Sequence, residues 1–188
     1  VLIPFELGVL FFEGKKRNGK FSLRGVVVFR ERISLRQYLL WVPLLILWSA
    51  LVFLLLAPLS DLLTSTVFSW LPGWFFISDQ GYSKIVLLVL AVTYGVANIA
   101  AAFVEELYFR GYLLPRISRL KHGAPLLNAV LFALQHFLTP WQQPGILLGV
   151  LPQVYLVNRK RNIYLGILAH CLLNLLSAIL LSISFFGG

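Results

Sequence analysis

Charged residues fall in clusters along this 188-residue chain, and long uncharged stretches separate the clusters. Arg36 and Asp61 enclose 24 uncharged positions, Lys84 and Glu105 enclose 20, and 27 residues follow Arg161. A helix needs roughly 20 mostly apolar residues to cross the ~30 Å hydrocarbon core of a bilayer. Each interval therefore predicts one spanning helix, at 37–60, 84–105 and 163–186. The 37 uncharged positions between Lys121 and Arg159 are too many for one span, and Thr139-Pro140-Trp141-Gln142-Gln143-Pro144-Gly145 places a turn in their middle. They predict two short antiparallel helices, 124–138 and 145–158, each about 20–23 Å long at helical rise. Helices that short tilt, reach into the polar face or border a water-filled recess, so a cavity is expected. Residues 62–78, with Pro72-Gly73 and the aromatics Trp70, Trp74, Phe75 and Phe76, read as interfacial. Residues 1–12 read as the tail of a preceding span. The sequence contains no Met, so a trimmed or partial chain is expected.

Composition sharpens this picture. Apolar and aromatic residues make up 59% of the chain and charged residues 12%, with a mean hydropathy of +0.85. A water-soluble domain has about 45–50% and about 25%. A body this size buries only about 70% of its surface, so the remaining apolar surface needs lipid. The formal net charge of +9 would ordinarily suggest nucleic acid, but the placement of the charge argues otherwise. Eight basic residues lie in 15–36, four in 110–121 and three in 159–161, leaving only Lys84 elsewhere. Threading the five predicted spans puts 15 of the 16 on one side, the cytoplasmic side by the positive-inside rule. The basic charge is then topological, and no nucleic-acid partner is expected. The lone Cys171 excludes an internal disulfide or a multi-thiolate metal site, and reads as a small packing residue.

Ionisable side chains inside a span cost at least ~2.5–3.5 kcal/mol near its centre, so they point to function. Three places qualify. At the end of span 84–105 stands Glu105-Glu106-Leu107-Tyr108-Phe109-Arg110, where Glu106 and Arg110 at i,i+4 lie roughly 40° apart on a helix and can pair. Glu105 is left on another face, seven residues after Asn98, as part of a polar stripe expected to face the bundle interior. His136 lies in span 124–138, one turn after Phe132. His170 and Asn174, at i,i+4, share one face of the last span.

Each place alone has an ordinary explanation: a juxtamembrane charge cluster, a packed histidine, or an interhelical hydrogen bond. Together, on three helices of a chain otherwise nearly free of intramembrane charge, they suggest hydrolysis by activated water. A carboxylate near an imidazole can hold and deprotonate water, while a second imidazole with an amide N–H can stabilise an oxyanion. The same His, His and Glu could instead hold a zinc ion with an open water position. The predicted boundaries set one obstacle, because His136 falls some 18 Å into its helix while Glu105 and His170 lie near the cytoplasmic side.

The order Glu-Glu-x-x-x-Arg (Glu105, Glu106, Arg110), Phe-x-x-x-His (Phe132, His136) and His-x-x-x-Asn (His170, Asn174) resembles the CAAX protease and bacteriocin-processing family of intramembrane proteases. That family includes the type II CAAX prenyl endopeptidases. The resemblance covers roughly residues 84–186, a catalytic core preceded by N-terminal spans and a basic cytoplasmic loop over 1–83, within a single membrane domain. It implies an all-α, multi-pass transmembrane bundle with a catalytic cavity open to the cytoplasmic side, and peptide-bond hydrolysis. It also implies that Glu105 and His136 activate the water, that His170 and Asn174 stabilise the oxyanion, and that Glu106, Arg110 and Phe132 support them. The cofactor is either none or a divalent metal such as zinc. Expected partners are the bilayer and a peptide or prenylated protein C-terminus.

A bacteriocin-immunity or binding protein on the same fold is the alternative within the family. Outside it, a transporter would string ionisable groups across the membrane, and here Glu105 and His170 cluster toward one side. Other intramembrane protease designs fit less well: there is no His-Glu-x-x-His or Gly-x-Gly-Asp, and Gly81-Tyr82-Ser83 lies at the opposite face.

Overall fold

The computed structural model describes residues 2–72 and 82–186, with side chains as far as Ile183. Those residues form an all-helical bundle. In chain order its elements are α1 (Ile3–Asn18), α2 (Leu35–Thr66), α3 (Lys84–Glu105), a π-helical stretch (Glu106–Leu113), the turn α4 (Leu114–Arg116), α5 (Gly123–Leu134), α6 (Gln143–Lys160) and α7 (Ile163–Phe186). Short 3-10 turns at Ser118–Leu120 and Pro140–Gln142 precede α5 and α6. Leu35–Thr66, Lys84–Arg116 and Ile163–Ile183 are long and apolar enough to cross a membrane. Their outward faces carry exposed Leu47, Leu54, Leu55, Ile85, Val92, Leu180 and Ile183, the apolar surface that needs lipid.

The start of α3 and both ends of α7 lie where charge placement put them, whereas the helix begun by α3 continues past the expected end at 105 to Arg116; local caps fix the two starts. Ser83 has extended backbone, and its hydroxyl accepts from Val86 N–H at 3.4 Å. Asn162 accepts from Leu165 N–H at 3.1 Å through Oδ1 and donates through Nδ2 to Glu31 O at 2.6 Å, tying the start of α7 to the basic segment before α2. α6 turns into α7 through Arg161, whose φ of 49° is left-handed.

Three expectations need correction. α2 runs six residues past the predicted end at 60 and through Asp61, so residues 62–66 are helix rather than a separate interfacial piece. Of that stretch, residues 73–78 lie outside the described residues, as does Gly81. α1 continues past residue 12 through Lys15, Lys16 and Arg17 and stops where Gly19 takes a left-handed φ of 70°. α5 ends at Leu134, so His136 is not in a helix. At 12 residues, about 18 Å, α5 is also too short to span.

The basic segment is no free loop either. Val26 and Val27 are buried, Val28 N–H donates to Gly111 O at 2.9 Å, and Ile163 N–H donates to Phe29 O at 2.8 Å. α3 packs along α7, α5 against α6, and α2 against both α6 and α7. The α3–α7 contact is close because small residues face each other: a Cβ placed on Gly95 would lie 3.1 Å from Ala178 Cβ. Ser49 of α2 donates to Gly149 O of α6 at 3.1 Å, where the two backbones approach.

Candidate active site

The seven residues singled out from the sequence occupy one region of the bundle. Glu105, His136, His170 and Asn174 all line a cavity of about 290 Å³, together with Asn98 and Gln135. The expected Asn98–Glu105 stripe therefore does face inward. The depth obstacle disappears because the helix that carries Glu105 does not end there but continues through the π-helical stretch to Arg116, 11 residues or about 15 Å further. After Leu134 the chain folds through residues 135–139, with His136 N–H donating to Ala133 O at 3.1 Å and Thr139 N–H donating to His136 O at 3.0 Å. Pro140 follows, and a residue before proline avoids helical backbone, which favours this turn over a further helical turn. The imidazole is thus carried by a loop laid against α3 and α7.

Glu106, Arg110 and Phe132 stand directly behind the cavity. At Glu106 the α-helix widens into the π-helical stretch, a departure often found at functional sites. Glu106 and Arg110 are completely buried and pair at 3.4 Å, so the predicted i,i+4 pairing holds although the helix is not α there. The guanidinium lies 4.1 Å from the centre of the Phe132 ring, a cation–π contact in a dry setting. Phe132 also meets both imidazoles edge-on or tilted, at 5.0 Å from His136 and 5.7 Å from His170 between ring centres. It is the common floor of the two histidines and the arginine.

Hydrogen bonding fixes both tautomers. His136 Nδ1 lies 2.9 Å from Phe132 O; a carbonyl only accepts, so Nδ1 carries the proton and Nε2 keeps its lone pair. His170 Nδ1 lies 3.2 Å from Glu106 Oε1. That oxygen also accepts from Gln153 Nε2 at 2.9 Å and faces Arg110, which marks it as a carboxylate acceptor. His170 therefore donates from Nδ1 and turns Nε2 toward Glu105, whose Oε2 is 3.9 Å away. The arrangement is a carboxylate-oriented imidazole facing a second carboxylate across a gap too wide for a direct hydrogen bond. Asn174 Nδ2 spends one of its two N–H groups on Asn98 O at 3.1 Å and retains the other. Cys171 faces away, toward Ile99 O of α3, as a packing residue.

Among the described residues no group of three His, Cys, Asp or Glu side chains is set to hold a metal ion, so the two imidazoles and Glu105 do not form a preformed zinc site.

Sequence reasoning missed three buried polar residues here. Gln153 of α6 holds Glu106, and Asn128 of α5 donates to Phe109 O at 2.8 Å within the π-helical stretch. Glu6 of α1 is 1% exposed and close enough to interact electrostatically with Glu105 and Arg110. An uncharged amide inside an apolar span carries the same signal as a charge, more weakly, and would have flagged Gln153 and Asn128. Glu6 carried the charge signal, since residues 1–12 read as the tail of a span, but nothing in the sequence says that α1 packs against α3 beside the site.

Residues 85–176 match the family model of Rce1-like proteins, described as type II CAAX prenyl endopeptidase Rce1-like. The match covers just under half of the chain and contains all seven site residues. No curated protein and no solved structure matches the chain.

Proposed function

With the match of residues 85–176 to the Rce1-like family model as the premise, we propose that this chain is an intramembrane endopeptidase that cuts peptides near a prenylated or otherwise membrane-anchored C-terminus. The observation that carries the reading is the convergence of Glu105, His136, His170 and Asn174 on one cavity, with His170 oriented from behind by Glu106. The catalytic core is the segment 84–186. The bundle is multi-pass with the cavity toward the cytoplasmic face, a reading supported by the one-sided distribution of 15 of 16 basic residues.

In the proposed reaction a water sits between Glu105 and the Nε2 lone pair of His136. Glu105 takes its proton as the oxygen attacks the scissile carbonyl carbon. The carbonyl oxygen becomes an oxyanion, which accepts hydrogen bonds from Nε2–H of protonated His170 and from the remaining N–H of Asn174. Buried Glu106, bonded to Nδ1–H, stabilises that imidazolium. Collapse of the tetrahedral intermediate breaks the C–N bond, and the departing amine leaves with the proton held by Glu105. A general base and an oxyanion donor of this kind contribute about 10²–10⁴-fold and 10²–10³-fold respectively.

The test is cleavage of a peptide panel, with and without a farnesylated C-terminal cysteine, by purified protein in detergent beside Glu105→Gln. The expected result is cleavage by the parent protein and a loss of at least ~100-fold in the folded variant. A chelator arm shows whether a metal participates. A folded parent protein inert toward every peptide, or a fully active Glu105→Gln, defeats the proposal; the former favours the binding or immunity role.

A further inference from the structure

Glu6 lies outside the family-matched segment, on α1, yet it is 1% exposed and both of its carboxyl oxygens are buried without a hydrogen-bond partner among the described residues. A carboxylate isolated in this way is strongly disfavoured unless a cation compensates it. The nearby cation is Arg110. Its Nε, NH1 and NH2 likewise make no hydrogen bond among the described residues, and Glu106 meets it only as a 3.4 Å ion pair. Glu6 and Arg110 interact electrostatically, as do Glu6 and Glu105. Two orphaned acceptor oxygens and an orphaned donor fork thus lie where α1 packs on the π-helical stretch.

α1 packs against α3 and the π-helical stretch, and from these Glu105, Tyr108 and Arg110 face Glu6. Glu6 also borders a groove of about 340 Å³ with Tyr108, Phe109 and Gln135. Gln135 in turn borders the catalytic cavity, so the two spaces share a wall.

We propose that Glu6 is a positioning residue of the catalytic site, sharing the Arg110 charge with Glu106 across the contact of α1 with the π-helical stretch. Arg110 then balances two carboxylates, Glu106 is left free to accept from His170 Nδ1, and His170 Nε2 stays aimed at Glu105. Without Glu6 the guanidinium moves fully onto Glu106 Oε1, the oxygen on which His170 depends.

This rests on the endopeptidase reading, so the experiment has two independent arms on the full chain in detergent. The first compares kcat and KM for Glu6→Gln, Glu6→Asp and the control Glu13→Gln, which removes a charge from the same helix. The expected result for Glu6→Gln is a kcat lowered by ~10- to 100-fold with KM within about twofold, partial rescue by Glu6→Asp, and no effect of Glu13→Gln. The second arm needs no activity: it is a thermal-unfolding cycle of Glu6→Gln, Arg110→Lys and the double variant. Coupled residues give shifts that do not add, with the double variant melting within about 2 °C of the worse single one.

A kcat within twofold of the parent overturns the proposal. A loss that merely tracks the folded fraction and is not rescued by Asp also overturns it, because that is a structural role. If the parent protein cleaves nothing, the endopeptidase reading fails, and the cycle alone decides. Additive shifts then remove Glu6 from the network, and non-additive shifts keep it there.

Discussion

Adding one methyl group at Gly166 tests the arrangement behind His170. Gly166 lies one turn before His170 on α7, and a Cβ there would land on Glu106 Oε2, with Glu106 Cδ at 3.1 Å and Gln153 Nε2 at 3.3 Å. Glu106 has no room to yield: it is fully buried, and its other oxygen is held by Gln153, Arg110 and His170. Gly166→Ala gains about 1 kcal/mol of helix propensity and costs about 1–3 kcal/mol of overpacking. The net loss is at most about 2 kcal/mol, roughly 4–8 °C of melting temperature for a chain this size.

Activity is expected to suffer far more. To restore ordinary contact the carboxylate must retreat by about 1 Å, and a misplacement of that size can cost ~100-fold. The assay is peptide cleavage per folded molecule, with unfolding followed through tryptophan fluorescence. Gly8→Ala is the control, since a Cβ there meets nothing within 4 Å; it is expected to keep the parent rate and melt at or above the parent temperature. A Gly166→Ala protein with parent rate and melting point would refute the claim that Glu106 is pinned and that it orients His170.

Two further outcomes follow from the same interior. Glu106→Gln removes the ion-pair partner 3.4 Å from fully buried Arg110, so stability falls by about 3–5 kcal/mol, read as a collapse in the yield of folded protein. Combining it with Arg110→Met recovers most of that stability without recovering hydrolysis, and recovered hydrolysis would show that Glu106 is dispensable to the chemistry. Asn162→Ala removes the α7 cap and orphans Glu31 O, costing about 2–3 kcal/mol. A melting temperature unchanged within about 1 °C would show that Asn162 does not carry that junction.

Long uncharged runs made α7 and the start of α3 readable, because a helix that must bury its backbone polar groups in lipid has little freedom to stop early; the charges at 105–110 hid that the helix begun by α3 continues to Arg116. Five of the seven candidate site residues, Glu105, Glu106, Arg110, His136 and His170, were readable because charge and imidazole stand out where they are expensive; Phe132 and Asn174 were readable only through their i,i+4 spacing to the two histidines. What hydropathy does not encode is backbone detail inside an apolar stretch. Leu134, Gln135 and His136 continue an uncharged run, and only the hydrogen bonds after Leu131 show that the helix has ended. The π-helical widening at Glu106 has no periodic signature over eight residues. Tertiary partnership was equally hidden. Val26 and Val27 sit in a strongly basic segment and read as part of a solvated loop, yet their side chains fill the core beside Leu10 and Leu107.

The sharing of Glu106 Oε1 also sets the order in which the site can come into being. That single atom is engaged by residues 47 and 64 positions further along the chain, on α6 and α7. Contacts so distant in sequence close late, since the intervening loop entropy must be overcome first. A chain whose α7 has not yet emerged or docked has Glu105 and His136 but neither the oriented imidazole nor the donor amide of Asn174. On the endopeptidase reading, such an intermediate lacks its oxyanion donors until α7, the last element of the site, is in place.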